Sequence, residues 1–220
     1  MLSSGLVRVG GGLAAIAGGV LIIIAALIGS LALGGVSTVS AGVTTAAYTV
    51  VTLVYLLAAV LVLGGLVGLY VHQSEEAGIL GLIGFAVAFL GTAMLVGATW
   101  NQAFITPALA QAIPALFDEG VLGWMSLGFV LTYLLVSLGW LLFGVATFVA
   151  RVYPRPAAVL LIIGALISFI PLSYTEILLA AAIAWLGFFT LFIGGGAPIE
   201  RGEFRSSARR SGGGNDSPGE

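Results

Sequence analysis

The sequence predicts an all-α fold, a polytopic bundle of six transmembrane helices, and two observations carry that reading. The first is composition. Across 220 residues the chain is 60% hydrophobic and 7% charged, with a mean hydropathy of +1.20, more apolar side chain than a water-soluble core of this length can enclose. The second is distribution. The apolar residues fall in runs of helix-spanning length, whereas an outer-membrane barrel needs alternating segments of about ten residues, so helices are selected.

The runs then follow in order. The first, Val9 to Leu33, comes after a short segment carrying Arg8. A signal peptide cleaved at Val39-Ser-Ala41 competes for this stretch, but the run exceeds the ~7–15 apolar residues of such a peptide, and a retained first span is expected. Gly34 to Thr44, rich in Gly, Ser and Thr, reads as a short uncharged loop. The second span is expected over 45–71, ending at His72-Gln-Ser-Glu-Glu76, and the third over 77–99, ending at Trp100-Asn-Gln102, groups suited to a lipid headgroup boundary. A connection over 104–120 leads to the fourth span, 121–150. The charged turn Arg151-Val-Tyr-Pro-Arg-Pro156 separates it from a short fifth span, 157–172, and Pro171 with Ser173-Tyr-Thr-Glu176 precedes the sixth, 177–193. The transmembrane domain thus covers 1–196. The Gly-, Ser- and Arg-rich remainder, 197–220, lacks the apolar residues to order itself and is expected to be a disordered cytoplasmic tail.

Orientation follows from the basic residues. Lys is absent, and with six spans and the N-terminus inside, Arg8, Arg151, Arg155, Arg201, Arg205, Arg209 and Arg210 all fall on the cytoplasmic side, as the positive-inside rule requires. Both termini are therefore expected in the cytoplasm and the protein in the plasma (inner) membrane as a multi-pass chain. The turn at Arg151 to Pro156 reads as a cytoplasmic hinge: Arg151 complements the C-terminal dipole of the fourth span, and the prolines end one helix and begin the next. Arg151, Arg155, Arg201, Arg205, Arg209 and Arg210 are also the candidate lipid-headgroup contacts.

Ionisable groups at membrane depth are functional leads, but the acids here fall at expected helix N-termini. Glu75 and Glu76 stand at the start of the third span, Asp118 and Glu119 at the start of the fourth, and Glu176 completes a Ser173-x-x-Glu176 capping box. Unpaired backbone N–H groups and the helix dipole account for carboxylates at such positions, and capping is the preferred reading. His72 is the sole histidine and Cys is absent, which removes disulfides, the simplest zinc and haem sites and a Cys nucleophile. No Ser lies in a Gly-x-Ser-x-Gly elbow. No cofactor, metal or nucleic acid is expected.

The connection before the fourth span is the most individual part of the outer face. Thr106 followed by Pro107 reads as an N-cap with proline at the first helical position, and Leu109, Ile113 and Leu116 recur at helical spacing. A short interfacial helix is expected, interrupted at Pro114, as a lid or as a wall of a cleft. Thr45, Tyr48, Thr49, Thr52 and Tyr55 share one face of the second span's outer half. With Trp100, Asn101, Gln102 and Trp124, the residues Thr45, Tyr48, Thr52 and Tyr55 make the candidate outer cleft, against the alternative that the hydroxyls serve only interhelical packing.

The 33 glycines are expected to let helices approach closely where lipid gives no hydrophobic drive to associate. Gly64-Gly65-x-x-Gly68 is also a candidate seam for a homo-oligomer or a membrane partner protein. Tyr55-Leu-Leu57 recurs as Tyr133-Leu-Leu135, Gly65 then aligning with Gly144 and Gly84-x-x-x-x-Phe89 with Gly164-x-x-x-x-Phe169. A parallel duplication of spans two and three as four and five is geometrically allowed.

Leu142-Phe-Gly144, Arg151-x-x-Pro-Arg155, the run around Gly164, Pro107 and Pro114 before Asp118, and Trp185-Leu-Gly187 together look like bacterial six-helix membrane families of unknown function, over Phe104 to Gly187. The resemblance implies a helix bundle and no catalytic residues. Three functional readings follow. The preferred one is a non-enzymatic membrane protein associated with lipids or partner proteins. The second is a small-solute transporter or permease component with an outer-facing cleft. The third is an intramembrane enzyme, for which only boundary groups such as Trp100, Asn101, Gln102 and Glu176 are on offer.

Overall fold

The computed structural model describes residues 4–33, 35, 37–119, 123–170 and 174–192, and the predicted tail and residues 171–173 lie outside them. The described residues form helices in the order α1 (Ser4–Leu33), α2 (Val39–Val43), α3 (Ala46–Phe104), α4 (Thr106–Ala112), α5 (Ala115–Asp118), α6 (Gly123–Ala150), α7 (Arg155–Ser168) and α8 (Thr175–Phe192). Four of them, α1, α3, α6 and α8, are long and apolar enough to cross a bilayer, and the chain is an all-α membrane protein. At 14 residues α7 is shorter than these.

α3 is the element that most changes the sequence reading. Its 59 residues would make a straight rod of roughly 88 Å, against a hydrocarbon core of about 30 Å. Gly78 interrupts it, with φ 55° and ψ −148°, a conformation closed to residues carrying a Cβ. The chain reverses there. Tyr70 before the break stacks on Phe85 after it, ring centroids 4.3 Å apart. Two arms result, 46–77 and 79–104. The reversal therefore sits beyond His72-Gln-Ser-Glu-Glu76, and Glu75 and Glu76 close the first arm where they were expected to open the next span.

Three smaller differences have local causes. Gly34 to Thr44, expected as a loop, contains α2, because the Thr38 hydroxyl accepts the Ala41 N–H (3.3 Å) and caps a single turn. Thr106, expected as the N-cap of α4, is its first helical residue after Ile105. Its hydroxyl donates instead to Asn101 Oδ1 (3.3 Å). Asp118 does not cap α6: its carboxylate accepts the Ser40 N–H (2.9 Å) and hydroxyl (2.7 Å), capping α2 from α5.

The helices close into a ring in chain order. Gly11 of α1 meets Gly68 and Gly65 meets Ala15, so α1 and the first arm run antiparallel with their backbones in contact. In the same way Gly84 meets Phe143, Gly139 meets Ala88 and Gly91 meets Val136, joining the second arm to α6. Gly144 rests on Ile162 of α7, Gly164 on Leu179 of α8, and Gly19 on Ala180 and Ala184, which returns the ring from α8 to α1. Small residues permit these approaches. One half of the ring's interior is filled by Leu66, Leu69, Phe143, Leu161, Ile183 and Leu186, all fully buried. Trp140 lies above them and donates its indole N–H to the Thr92 hydroxyl (3.2 Å).

The two ends of the ring differ in charge. One end gathers Arg8, His72, Glu75, Glu76, Arg151 and Arg155. There the hinge residue Tyr153 is buried edge-on to His72 (5.2 Å), its hydroxyl donating to the Leu69 carbonyl (3.3 Å) and paired with Thr190 (2.9 Å). Burial pushes the Tyr153 phenol well above its ordinary range. The other end carries α2, α4, α5, Asp118, Glu119 and Glu176, and no Arg, Lys or His among the described residues.

Candidate functional site

The ring opens at the acidic end into a cavity of about 440 Å³. Its wall is built by α1 (Ala25, Ala26, Gly29, Ser30), the first arm (Val51, Tyr55), the second arm (Leu95, Thr99, Gln102), α6 (Tyr133) and the start of α8 (Tyr174, Glu176). Every segment of the ring but α7 contributes, because the small residues of α1 leave space where other helices place phenols. A narrow extension of about 40 Å³ continues towards the core between Ile22, Val62, Val136, Trp140, Leu179 and Ile183, and Glu176 lines both spaces.

Glu176 is the chemical centre of this cavity. The Tyr55 hydroxyl donates to its Oε2 (2.7 Å) across the bundle. Among the described residues Tyr55 is the side-chain partner of this carboxyl, and it engages Oε2. The carboxylate near the start of α8 reaches across to the first arm, 121 residues away in sequence. The Ser173 partner of the proposed capping box lies outside the described residues. Among the described residues Glu176 is the lone charged group on the wall of either space.

The structure distributes the candidate outer-cleft residues among several places. Tyr55 and Gln102 line the central cavity. Tyr48 lines a shallow depression of about 510 Å³ with Ser37, Thr38, Gly42 and Asp118. Asn101 lines a side groove of about 280 Å³ between the second arm and α6, near Gly97, Gly128 and Thr132. Thr45 caps α3 by accepting the Tyr48 N–H (3.1 Å). Thr52 is buried and donates to the Tyr48 and Thr49 carbonyls (2.8 and 3.1 Å), so its hydroxyl is consumed within its own helix. Trp100 and Trp124 face outwards, Trp124 87% exposed. The structure thus unites two of the eight, and adds Glu176, Tyr133, Tyr174 and Thr99. Tyr133 was visible in sequence only as the counterpart of Tyr55 in the Tyr-Leu-Leu match.

Of the candidate lipid contacts, Arg151 and Arg155 are exposed at the hinge, and Arg201, Arg205, Arg209 and Arg210 lie outside the described residues. Among the described residues no cluster of His, Cys, Asp and Glu is arranged to hold a metal ion. Comparison with known proteins gives no match: no protein-family model, no curated protein and no solved structure resembles this chain.

Proposed function

We propose that this protein is a non-enzymatic, six-span protein of the plasma membrane, both termini cytoplasmic, that binds a small solute in the cavity at its outer end. The observation that carries the reading is the Glu176 carboxylate, bonded by Tyr55 at 2.7 Å and facing a space of about 440 Å³. Pockets of roughly 300–1,000 Å³ with a mainly apolar wall and a few convergent polar groups are the usual form of small-molecule sites. Six crossings come from counting the two arms of α3 separately and letting α7 lead the chain from the Arg151–Arg155 end to the Glu176 end. The positive-inside rule then puts Arg8, Arg151 and Arg155 in the cytoplasm and the cavity outside.

A filling substitution tests the reading. Gly29 lines the cavity, and its nearest neighbour leaves room for a Cβ at 3.4 Å from Val51. A thermal-unfolding screen of the purified protein against small amines, alcohols and polyols is expected to give dose-dependent stabilisation by at least one class. Gly29→Leu is expected to remove that stabilisation while its own Tm stays near the wild type. Equal responses of the two proteins to every compound reject the cavity as a binding site.

A second reading, contact with anionic lipid at the inner end, is favoured by the exposure of Arg151 and Arg155 on one turn, each worth about 1 kcal/mol near an anionic headgroup. The two readings concern opposite ends and are compatible.

A further inference from the structure

We propose that the ligand of the outer cavity is a small organic ammonium ion, its charge against Glu176 Oε1 and its short apolar arm in the narrow extension below; this rests on the solute-binding reading above. Four observations converge on that class. The cavity wall carries one acid and, among its lining residues, no Arg, Lys or His. A carboxylate in apolar surroundings takes up a proton unless a cation accompanies it, so the ionised form of this wall is matched by a bound cation and offers an anion no partner. Tyr55 occupies Oε2, and among the described residues no side chain is bonded to Oε1, which is left as the acceptor for an N–H donor.

Besides Ser30, Thr99 and Gln102 the wall carries three phenols. Tyr55, Tyr133 and Tyr174 present phenol rings around the carboxylate, and ring faces attract ammonium groups, alkylated ones included. This also separates an organic cation from calcium or magnesium, which demand six or more oxygen ligands or an ordered water shell. One carboxylate with three phenols, Ser30, Thr99 and Gln102, on a wall otherwise made of Ala, Gly, Val and Leu, offers a divalent ion a single negative charge, and among the described residues no group of three His, Cys, Asp or Glu is arranged to hold a metal ion. Finally, Glu176 borders both the wide space and the extension between Val62, Val136 and Ile183. A volume of about 40 Å³ there, mostly walled by apolar side chains, admits a short alkyl group.

Calorimetry of the full chain in nanodiscs tests the assignment, with n-butylammonium as probe and n-butanol, butyrate, sodium and potassium as comparisons. Butylammonium is expected to bind saturably, butyrate not at all and butanol at least tenfold more weakly. Glu176→Gln is expected to cut butylammonium affinity at least tenfold, and Tyr55→Phe a few-fold. Should Glu176→Gln not fold, carbodiimide labelling of Glu176 in the wild type replaces it, with protection expected from butylammonium and not from butanol. Equal binding of butanol and butylammonium, with Glu176→Gln indifferent, overturns the ammonium assignment and leaves the cavity as a neutral-solute site. Sodium or potassium matching butylammonium at equal concentration overturns the organic part. Binding of none of the five, with no filling effect of Gly29→Leu, overturns both this inference and the reading on which it rests.

Discussion

At the hinge, Arg151 is the single non-glycine residue with positive φ (58°) among those described, immediately after α6 ends at Ala150. A left-handed residue here closes a helix as glycine usually does. With a Cβ it bears a strain of about 1–2 kcal/mol. Arg151→Gly removes the strain and adds back about 0.5–1 kcal/mol of backbone entropy. The expected net gain is therefore roughly 0.5–1 kcal/mol, read as a rise in Tm in detergent, whereas Arg151→Val is expected to lower it. Asp118 makes a pH-dependent contact at the other end. The Ser40 N–H and hydroxyl hold its carboxyl below the ordinary aspartate value, so the folded pKa is depressed. The stability it contributes is then full above that ordinary value, 3.8, and is lost as pH falls through the folded value. Hydrogen-exchange protection at Ser40–Val43, taken relative to the intrinsic rate at each pH, is expected to be full from pH 5 upwards and to fall below about 4. Asp118→Ala is expected to show the low protection at every pH. Indifference of that segment to both pH and mutation rejects the tie.

The elements owe their pairing to glycines whose faces touch backbone. A Cβ added at Gly91 would lie 2.6 Å from Leu135 C and Val136 N, and one at Gly164 would lie 2.6 Å from Leu179 N. Backbone cannot yield as a flexible side chain can. Gly91→Ala and Gly164→Ala are therefore expected to destabilise by about 1–3 kcal/mol through forced separation of helices. Gly97, with nothing within 4 Å, is the control: Gly97→Ala is expected to be neutral or to stabilise by up to about 1 kcal/mol, from helix propensity alone. Denaturation of the three variants in one detergent separates the cases. The sequence made the existence of these helices legible, because hydrophobic length is a property of one segment. It made the reversal at Gly78 illegible: the charged run from His72 to Glu76 looked like a turn, while the actual turn depends on which of many glycines takes positive φ. Glu176 was hidden for a related reason. A carboxylate in the first turn of a helix has the same sequence signature whether it caps its own backbone or faces a lumen, and only the placement of Tyr55 on the opposite wall decides. Thr52 shows the converse, a hydroxyl on the right face that its own helix has already satisfied.

At the scale of the whole molecule, the ring's two ends set a topology that can be read from outside the cell. Each neighbouring pair in the ring is antiparallel, so Ser74, beside the Gly78 reversal, and Pro154, in the hinge, must share a side. Tyr153 confirms this geometrically, since the hinge hydroxyl reaches the Leu69 carbonyl of the first arm (3.3 Å). Glu119, which follows α5, belongs to the opposite end with Asp118 and Ser40. An unbroken α3 crossing once would instead put Ser74 midway along the rod, away from the side of Pro154. Reporter fusions therefore have a definite expected pattern. Fusions after Ser74, Pro154 and Ser211 are expected to be active as cytoplasmic reporters and silent as periplasmic ones, and a fusion after Glu119 the reverse. Ser74 and Pro154 on different sides would reject the Gly78 reversal itself. All four signals exchanged would keep the ring but turn the Arg8, Arg151 and Arg155 end outwards, placing the Glu176 cavity on the cytoplasmic face and making any ligand an intracellular one.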